Sequence, residues 1–259
     1  MKIFISADIE GVLGINHWDE DSDKFAKRMN QEVIAACEGA IEGGATEVFV
    51  KDAHANGRTI DPYSLPEQVK LIRGKSSSPK SMVEQIDDTF DAIAFIGYHS
   101  ASGTDTNPLA HTHTTSVEYI KINGEIASEF TLNSLIAAYY GVPSIFISGD
   151  EGLINQVKQE LPFIETVAIN QGFGNATITL LGAKESLSLI KAGMKKAVIN
   201  SDKAKTELPE YFEVEVSFRD HTKALRASFY PGAKKIGPKV VVFESDDYYE
   251  VMRFKYFTF

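Results

Sequence analysis

The sequence has little cysteine, fewer basic than acidic residues, and no long apolar run. Its 259 residues include one cysteine, Cys37, which excludes an intrachain disulfide framework and a cysteine-rich zinc site. The 26 lysines and arginines are outnumbered by 36 aspartates and glutamates, and the formal net charge of −10 argues against nucleic acid as a partner. Since no apolar run approaches the roughly 20 residues of a membrane helix, we expect no membrane partner either.

What remains is the composition of a globular protein. Hydrophobic residues make up 43% of the chain, which is ordinary for a folded domain and allows a sizeable core. The strand predicted over residues 2–7 meets acidic residues directly afterwards, which is too early for a secretory signal. We therefore expect a soluble, cytoplasmic protein.

Strand-like and helix-like segments alternate in the first 150 residues. Short β-branched or aromatic runs predict strands, and apolar residues at four-residue spacing predict helices. The predicted strands are residues 2–7, 47–50, 92–97 and 144–148, and the predicted helices are residues 24–43, 78–86 and 130–140. This alternation predicts an α/β fold with three layers, α/β/α, around a mostly parallel or mixed sheet.

The rest of the chain is less regular. Asn123-Gly124 predicts a hairpin that either makes the sheet mixed or forms a flap beside it. Beyond it we predict helices over residues 183–200 and 246–257 and strands over 214–218 and 239–243. We expect residues 1–200 to form the main domain. Residues 201–259 would be a smaller C-terminal α+β portion, packed as part of one domain or at an oligomer interface.

Polar side chains follow each of the four predicted strands. Because ligands bind beyond the carboxyl ends of parallel strands, these residues are expected to converge on one edge of the sheet. Imidazole and carboxylate groups suit Zn²⁺, Mn²⁺ or Co²⁺, and more than four of them would suit two metal ions about 3.5–4 Å apart. The residues are Asp8 and Glu10, Asp52 and His54, Tyr98 and His99, and Asp150 and Glu151.

Each of these residues also has an ordinary explanation. Asp8 could cap a helix or form a turn, and a single His54 or His99 could simply be a hydrogen-bonded histidine. Glu129 taken alone is a first-turn helix acid. Asp52 could orient an imidazole or close a turn.

A His-x-His pair, His111 and His113, adds two further imidazoles. On a strand the two side chains would face the same way and could bind metal or supply a general base. The alternative is a polar loop with a solvated histidine. His17 and His221 have no suggestive neighbours, and we expect them at the surface.

An ordered set of short segments makes the sequence resemble the M55 family of metallopeptidases, the D-aminopeptidases. The segments with the clearest similarity are KIFISADIEGVLG at 2–14, VKDAH at 50–54, FIGYH at 95–99 and LAHT at 109–112. Further similar segments lie at 81–84, 87–90, 123–124, 128–129, 132–133 and 143–150. Any one of them is weak, but their shared order and spacing over residues 1–150 are specific.

The resemblance implies a dinuclear zinc site, with Mn²⁺ or Co²⁺ as alternatives, in a catalytic domain over residues 1–200. Asp8 would bridge the two ions. Glu10 and His54 would complete one ion, and His99 and Glu129 would complete the other. His111 matches the histidine with the central catalytic role. His113 has no counterpart and is left outside the site.

The implied activity is that of a zinc-dependent aminopeptidase on short peptides, with D-amino-acid peptides as one option. The resemblance also implies a homo-oligomer, with a ring as one form. One departure is Asn170 and Asn175, where family members carry a lysine and an arginine that would suit a substrate carboxylate. This departure leaves open a metal-dependent amidase or cell-wall peptide hydrolase of different specificity. A peptide-binding protein without turnover is the non-enzymatic alternative.

Overall fold

A computed structural model describes residues 1–18 and 22–259 of the chain. Its strands are β1 (Lys2–Ala7), β2 (Glu47–Asp52), β3 (Val69–Ile72), β4 (Ala92–Tyr98), β5 (Val117–Ile122), β6 (Glu125–Ile126), β7 (Ser144–Asp150), β8 (Glu165–Phe173), β9 (Ala176–Thr179), β10 (Phe212–Phe218), β11 (Lys234–Lys235) and β12 (Val240–Ser245). Its α-helices are α1 (Ser22–Glu42), α2 (Glu129–Tyr139), α3 (Glu151–Glu160), α4 (Ala183–Ile199), α5 (His221–Ala227) and α6 (Tyr248–Thr258).

A seven-stranded sheet forms the centre of the fold. Its strand order is β3-β2-β1-β4-β7-β8-β9, and all neighbours run parallel except the last pair, β8 and β9. The sheet is therefore mixed and mostly parallel, as predicted. The four strands that were predicted from the first 150 residues, β1, β2, β4 and β7, are parallel neighbours in it.

Helices cover both faces of this sheet, because the strands are apolar on both sides. Ile3, Ile5 and Ala7 of β1 pack in a buried cluster with α1 and α4 on one face. Phe4 joins a second buried cluster on the other face, with α2, α3 and α6. Such continuous apolar strands are typical of a parallel sheet buried on both sides. The predicted three-layer α/β/α arrangement is confirmed.

The predicted hairpin belongs to a second, antiparallel sheet with the strand order β11-β12-β10-β5-β6. β5 pairs with β6 across Asn123-Gly124 and with β10 on its other side, where Val214 is opposite Ile122. The smaller C-terminal portion thus shares a sheet with strands from residues 117–126. The division at residue 200 stays a prediction.

The short helix predicted over residues 78–86 is wrong in extent. Only Ser81–Val83 forms a turn of 3-10 helix. Ser77, Ser81 and Gln85 have φ angles of 62°, 50° and 73°, which place them in the left-handed region and interrupt any longer helix. β3, β8, β9, β11, α3 and α5 were not predicted. Among the described residues, no helix combines the length and the apolar character that crossing a membrane requires.

Candidate metal centre

The carboxyl ends of β1, β2 and β4 bring four of the predicted ligands together. Asp8 and Glu10 follow β1, His54 lies two residues after β2, and His99 follows β4 directly. β1 pairs in parallel with both β2 and β4, so the three strand ends meet at one edge of the sheet. This convergence was predicted from the strand pattern, and the structure contains it.

Glycine lets the turns at this edge approach each other closely. A Cβ atom on Gly11 would lie 1.9 Å from the carbonyl oxygen of Tyr98, and Gly97 has a φ of +69°. The backbone N–H of Gly11 donates to the carbonyl of Gly97 over 2.9 Å. The glycines therefore hold the Asp8–Glu10 turn against the end of β4, next to His99.

Glu129 enters the cluster from a different part of the chain. It is the first residue of α2, whose start is fixed by a capping box between Ser128 and Thr131. One oxygen of the Glu129 carboxylate accepts a hydrogen bond from the backbone N–H of His113 over 2.7 Å. The carboxylate is 3% exposed, so it is directed into the protein rather than toward solvent.

The carboxylate of Asp8 faces two different imidazoles, one with each oxygen. Oδ1 lies 3.2 Å from Nδ1 of His54, and Oδ2 lies 3.6 Å from Nε2 of His99. Two ligands of one tetrahedral zinc ion, with bonds of about 2.0–2.1 Å, are separated by about 3.3 Å. Each oxygen of Asp8 thus faces a different imidazole at a distance close to that between two ligands of one ion.

Two further carboxylates complete the two groups. Glu10 Oε1 lies 3.2 Å from His54 Nδ1, and Glu129 Oε1 lies 3.7 Å from His99 Nε2. The distances around His99 are too long for hydrogen bonds, yet short enough for ligands that share an ion. Asp8 and Glu10 thus share His54, and Asp8 and Glu129 share His99. Asp8, Glu10 and His99 also offer ligand atoms within 4.8 Å of one another, as do His99, His111 and Glu129.

The imidazole of His99 tests whether these residues fit a metal ion. Its Nδ1 lies 2.9 Å from the carbonyl oxygen of Ser100, which can only accept a hydrogen bond, so Nδ1 carries the proton in the neutral ring. Nε2 then presents a lone pair to the carboxylates of Asp8 and Glu129. This atom is buried and has no hydrogen-bond partner among the described residues, and neither has Glu10 Oε2. A cation between these atoms would satisfy all of them, so the residues fit a metal ion.

The electrostatics of the cluster indicate the same need for positive charge. Burial and the negative charge of Glu10 raise the pKa of Asp8 to about 8. Burial disfavours the charged form of His99, but the carboxylates around it, Glu129 first, outweigh burial and raise its pKa well above the ordinary value. For His54, Asp8 and Glu10 likewise outweigh burial and raise the pKa to about 10. Three buried carboxylates thus attract protons onto their neighbours, as they would attract metal ions.

His111 lies beside the His99 group. Its ring stacks on that of His99 at 4.4 Å between centroids, and its Nε2 lies 3.5 Å from Glu129 Oε1. Nδ1 donates to the carbonyl of Leu109 over 2.9 Å, which leaves Nε2 as the acceptor atom of the neutral ring. Trp18 also packs against the ring in a T-shaped arrangement, with 5.3 Å between ring centroids. The imidazole is therefore held in place with Nε2 toward the ligand cluster.

The second histidine of the His-x-His pair takes a different position from the one a strand would give it. Residues 112–114 form a tight turn, in which the Thr114 N–H donates to the Thr112 carbonyl over 2.7 Å. His113 has a φ of 59° in this turn, so the pair does not lie on a strand. Its Nε2 lies 3.2 Å from Nζ of Lys255. The alternation argument from the sequence was wrong here.

A cavity of about 400 Å³ opens onto the cluster. Ligand candidates, aromatic residues and cationic groups share its wall, among them Asp8, Glu10, His54, Glu129, His111, His113, Trp18 and Lys75. A cavity of this size is at the small end of ligand sites and suits a short substrate.

Several polar residues at the strand ends have structural contacts instead. Asp52 accepts a hydrogen bond from the backbone N–H of Ile60 over 2.6 Å and has none with His54. The Tyr98 hydroxyl is hydrogen-bonded to the side chains of Ser6 and Asn133. Asp150 caps α3 and also accepts hydrogen bonds from Ser100 and Asn107.

Asn170, the departure noted in the sequence, is also structural. Its side chain is buried, accepts a hydrogen bond from the Gly14 N–H over 3.0 Å and donates to the Val12 carbonyl over 2.7 Å. The amide therefore holds the loop after β1 and has no group directed at a substrate. Asn175 is exposed in the turn between β8 and β9.

The fold and this cluster define an α/β protein with a cluster of side chains that could hold a metal ion at the carboxyl edge of its sheet. The family model Peptidase_M55, described as D-aminopeptidase, matches residues 1–257. The chain therefore belongs to the M55 peptidases, and it is an enzyme of the hydrolase class.

Two similar proteins agree with this assignment. A D-aminopeptidase of Bacillus subtilis (strain 168) is 29% identical over 260 residues, which cover 96% of this chain and 93% of that protein. A solved structure is described as the Zn-dependent D-aminopeptidase DppA from Bacillus subtilis, a self-compartmentalizing protease. It matches with a TM-score of 0.92 and 28% identity over 98% of this chain and 95% of that one.

Proposed function

We propose that this protein is a zinc-dependent aminopeptidase that hydrolyses the N-terminal peptide bond of short peptides, including those that begin with a D-amino acid, at a dinuclear metal centre. The observation that carries the proposal is the Asp8 carboxylate, whose two oxygens face His54 and His99 separately. The similarity to a Zn-dependent D-aminopeptidase supports the choice of metal and of substrate.

The proposed ligands follow the two groups. Asp8 would bridge the ions, Glu10 and His54 would complete one, and His99 and Glu129 would complete the other. Support comes from the distances of 3.2–3.7 Å between the imidazole nitrogens and carboxylate oxygens of each group. When bound, the ions supply Lewis acidity and a means of generating a nucleophile at neutral pH.

The chain's own contribution to the reaction centres on His111. Because its Nδ1 is fixed on the Leu109 carbonyl, Nε2 is the atom that can accept a proton, return it to the leaving amine, or stabilise an oxyanion. Trp18 and His99 both pack against the ring, and these contacts hold its orientation at the cavity wall. The cavity of about 400 Å³ limits the length of the substrate.

Metal removal and a substrate panel test the proposal together. Protein purified without chelators is expected to contain about two zinc ions per chain by elemental analysis. A panel of L- and D-aminoacyl amides and dipeptides is expected to be hydrolysed before chelation, to resist hydrolysis after it, and to be hydrolysed again once Zn²⁺, Mn²⁺ or Co²⁺ is restored.

The panel also separates the alternatives. Turnover of amides but not of dipeptides would favour an amidase over a peptidase. One ion per chain would contradict the dinuclear centre, and metal-loaded protein that hydrolyses no member of the panel would contradict the aminopeptidase and favour a binding protein.

We also propose a homo-oligomer, in which the cavity opens into an enclosed space. The similar protease is described as self-compartmentalizing, and large apolar side chains such as Phe163, Phe173 and Phe229 are 77–84% exposed in the single chain. Light scattering coupled to gel filtration is expected to give a mass several times that of the chain. A monomer at micromolar concentration would contradict the proposal.

A further inference from the structure

Three cationic or hydrogen-bond-donating side chains lie beside the ligand cluster and have no part in the chemistry above. Lys75 and His113 line the cavity, and Lys255 of α6 reaches His113 from behind. Lys75 and His113 share the wall of one cavity, and Lys255 Nζ lies 3.2 Å from His113 Nε2, so the three groups belong to one region of the structure.

The contact between Lys255 and His113 determines where the imidazole proton lies. A protonated lysine has only donors, so Nζ donates to His113 Nε2 over 3.2 Å and Nε2 is the unprotonated atom. The proton of the neutral ring is therefore on Nδ1. Nδ1 has no hydrogen-bond partner among the described residues, although His113 lines the cavity. The ring thus offers an unused N–H donor to whatever the cavity binds.

The backbone conformation of His113 indicates that the fold fixes the position of its side chain. The left-handed φ of 59° costs energy in a residue with a Cβ atom, and the turn of residues 112–114 maintains it. That conformation lets the backbone N–H reach Glu129 while the side chain reaches Lys255.

Among the described residues, Lys255 lacks the counter-ion that a buried lysine usually has, whereas Lys75 is an exposed residue at the cavity wall. Lys51, which is as buried as Lys255, pairs with Glu84 at 3.1 Å. Over residues 1–18 and 22–259, neither Lys75 nor Lys255 has a carboxylate within 4.0 Å of its Nζ. A buried ammonium without a counter-ion is costly, and burial lowers the pKa of Lys255 to about 8. An anionic group from outside the chain would provide the missing partner.

We propose that Lys75 Nζ and His113 Nδ1–H bind the C-terminal carboxylate of a short peptide substrate, with Lys255 as the positioning residue that fixes the tautomer of His113. The inference rests on the proposed aminopeptidase function and narrows it. Dipeptides and similarly short peptides with a free carboxylate are the substrates, in preference to amides and long peptides.

The dimensions and charges of the cavity are consistent with such a substrate. Carboxylates and imidazoles of the ligand cluster line the same cavity of about 400 Å³ as Lys75 and His113. A substrate that places its scissile bond at the cluster and its carboxylate at Lys75 must be short. Other parts of the chain thus supply the cations that it lacks at positions 170 and 175.

The first experiment compares an alanyl-alanine dipeptide with its C-terminal amide, in the stereochemistry that the panel prefers. Wild type is expected to favour the free acid at least tenfold in kcat/KM. Lys75→Met should reduce that preference roughly tenfold to a hundredfold, mainly through KM, because it removes a charge-assisted hydrogen bond. Lys205→Met removes a lysine that is 79% exposed and paired with Glu207, and should leave the preference as in wild type.

The second experiment does not depend on turnover. By calorimetry on zinc-loaded protein, alanine should bind more tightly than alaninamide, and Lys75→Met should weaken alanine binding at least tenfold. If Lys75→Met binds alanine more tightly than alaninamide by the same factor as wild type does, the proposed carboxylate subsite is wrong. If wild type hydrolyses neither substrate, the aminopeptidase fails, while the calorimetry still decides whether the subsite exists.

The role of Lys255 has its own readout. ¹⁵N NMR of the histidine rings should show His113 protonated on Nδ1 in wild type and a mixture of tautomers in Lys255→Met, with a smaller acid preference. Since methionine fills a volume similar to the lysine stem, a merely structural role for Lys255 would leave the tautomer unchanged. A His113 ring protonated on Nε2 in wild type would overturn the assignment.

Discussion

Asp8→Asn is expected to reduce the zinc content from about two ions per chain to at most one and to lower kcat/KM by at least about a hundredfold. Asparagine keeps the size of the side chain but offers one acceptor oxygen and no charge. It therefore cannot face His54 and His99 with an oxygen each, as Asp8 does. Even the neighbours that orient metal ligands contribute about 10- to 100-fold in metal affinity or activity, so a bridging ligand should contribute at least as much.

Stability measurements separate loss of metal from damage to the fold. In chelator, Asp8→Asn should be as stable as wild type or more so, because asparagine is neutral, whereas folded wild type must either protonate the Asp8 carboxyl or bury its charge beside Glu10 and Glu129. Added zinc should raise the melting temperature of wild type more than that of the variant.

Asp150→Asn is the matched control for this substitution. The same change is made at the same edge of the sheet, but Asp150 binds Leu153, Ser100 and Asn107. We expect it to lower stability by about 1–3 kcal/mol while it retains two zinc ions. Two ions per chain in Asp8→Asn would contradict the bridging role.

The central sheet could be predicted because its strands carry strong local signals. β1, β4 and β7 are short, apolar and bounded by turn residues, and β2 has the same pattern with an exposed first residue. The second sheet could not be predicted, since β5 and β10 pair across about 90 residues and each has only an ordinary strand pattern. β3 has four residues and α5 has seven, too few for a periodic signal.

The candidate site, too, could be predicted from the sequence only in part. Parallel strand ends predicted the convergence of Asp8, His54 and His99, because the topology alone brings them to one edge. Glu129 could not be placed by local reasoning, since a first-turn acid in a helix is common. Its inclusion came from the resemblance to the M55 family. His113 was left outside the site because the resemblance gives it no counterpart, and its left-handed backbone has no signal in the sequence either.

Net charge gave little guidance to the site. The acidic excess of the chain would suggest a cavity that repels carboxylates, yet Lys75 lines it and Lys255 lies just behind it. Charge in a small cavity depends on which side chains the topology brings together, whereas net charge describes mainly the exposed surface. An acidic protein can therefore present a positive subsite to an anionic substrate.

His111→Ala is expected to retain about two zinc ions per chain and to lose roughly 10²- to 10⁴-fold in kcat, the range for removal of a positioned general acid or base. The alternative is that His111 is itself a metal ligand, because its Nε2 lies 3.5 Å from Glu129 Oε1 and its ring centroid lies 4.4 Å from that of His99. The two roles predict different zinc contents for the same variant. Elemental analysis and steady-state kinetics on one preparation therefore distinguish them.

The control for this variant is His221→Ala, which removes an imidazole that is 74% exposed and should change neither zinc content nor kcat. His111→Gln adds a second comparison, because glutamine can donate a hydrogen bond to an oxyanion but cannot exchange a proton at neutral pH. Partial recovery in His111→Gln would assign His111 to oxyanion stabilisation, and no recovery would assign it to proton transfer. Loss of one zinc ion in His111→Ala would instead make His111 a ligand, since Nε2 already faces the Glu129 oxygen that the His99 group uses.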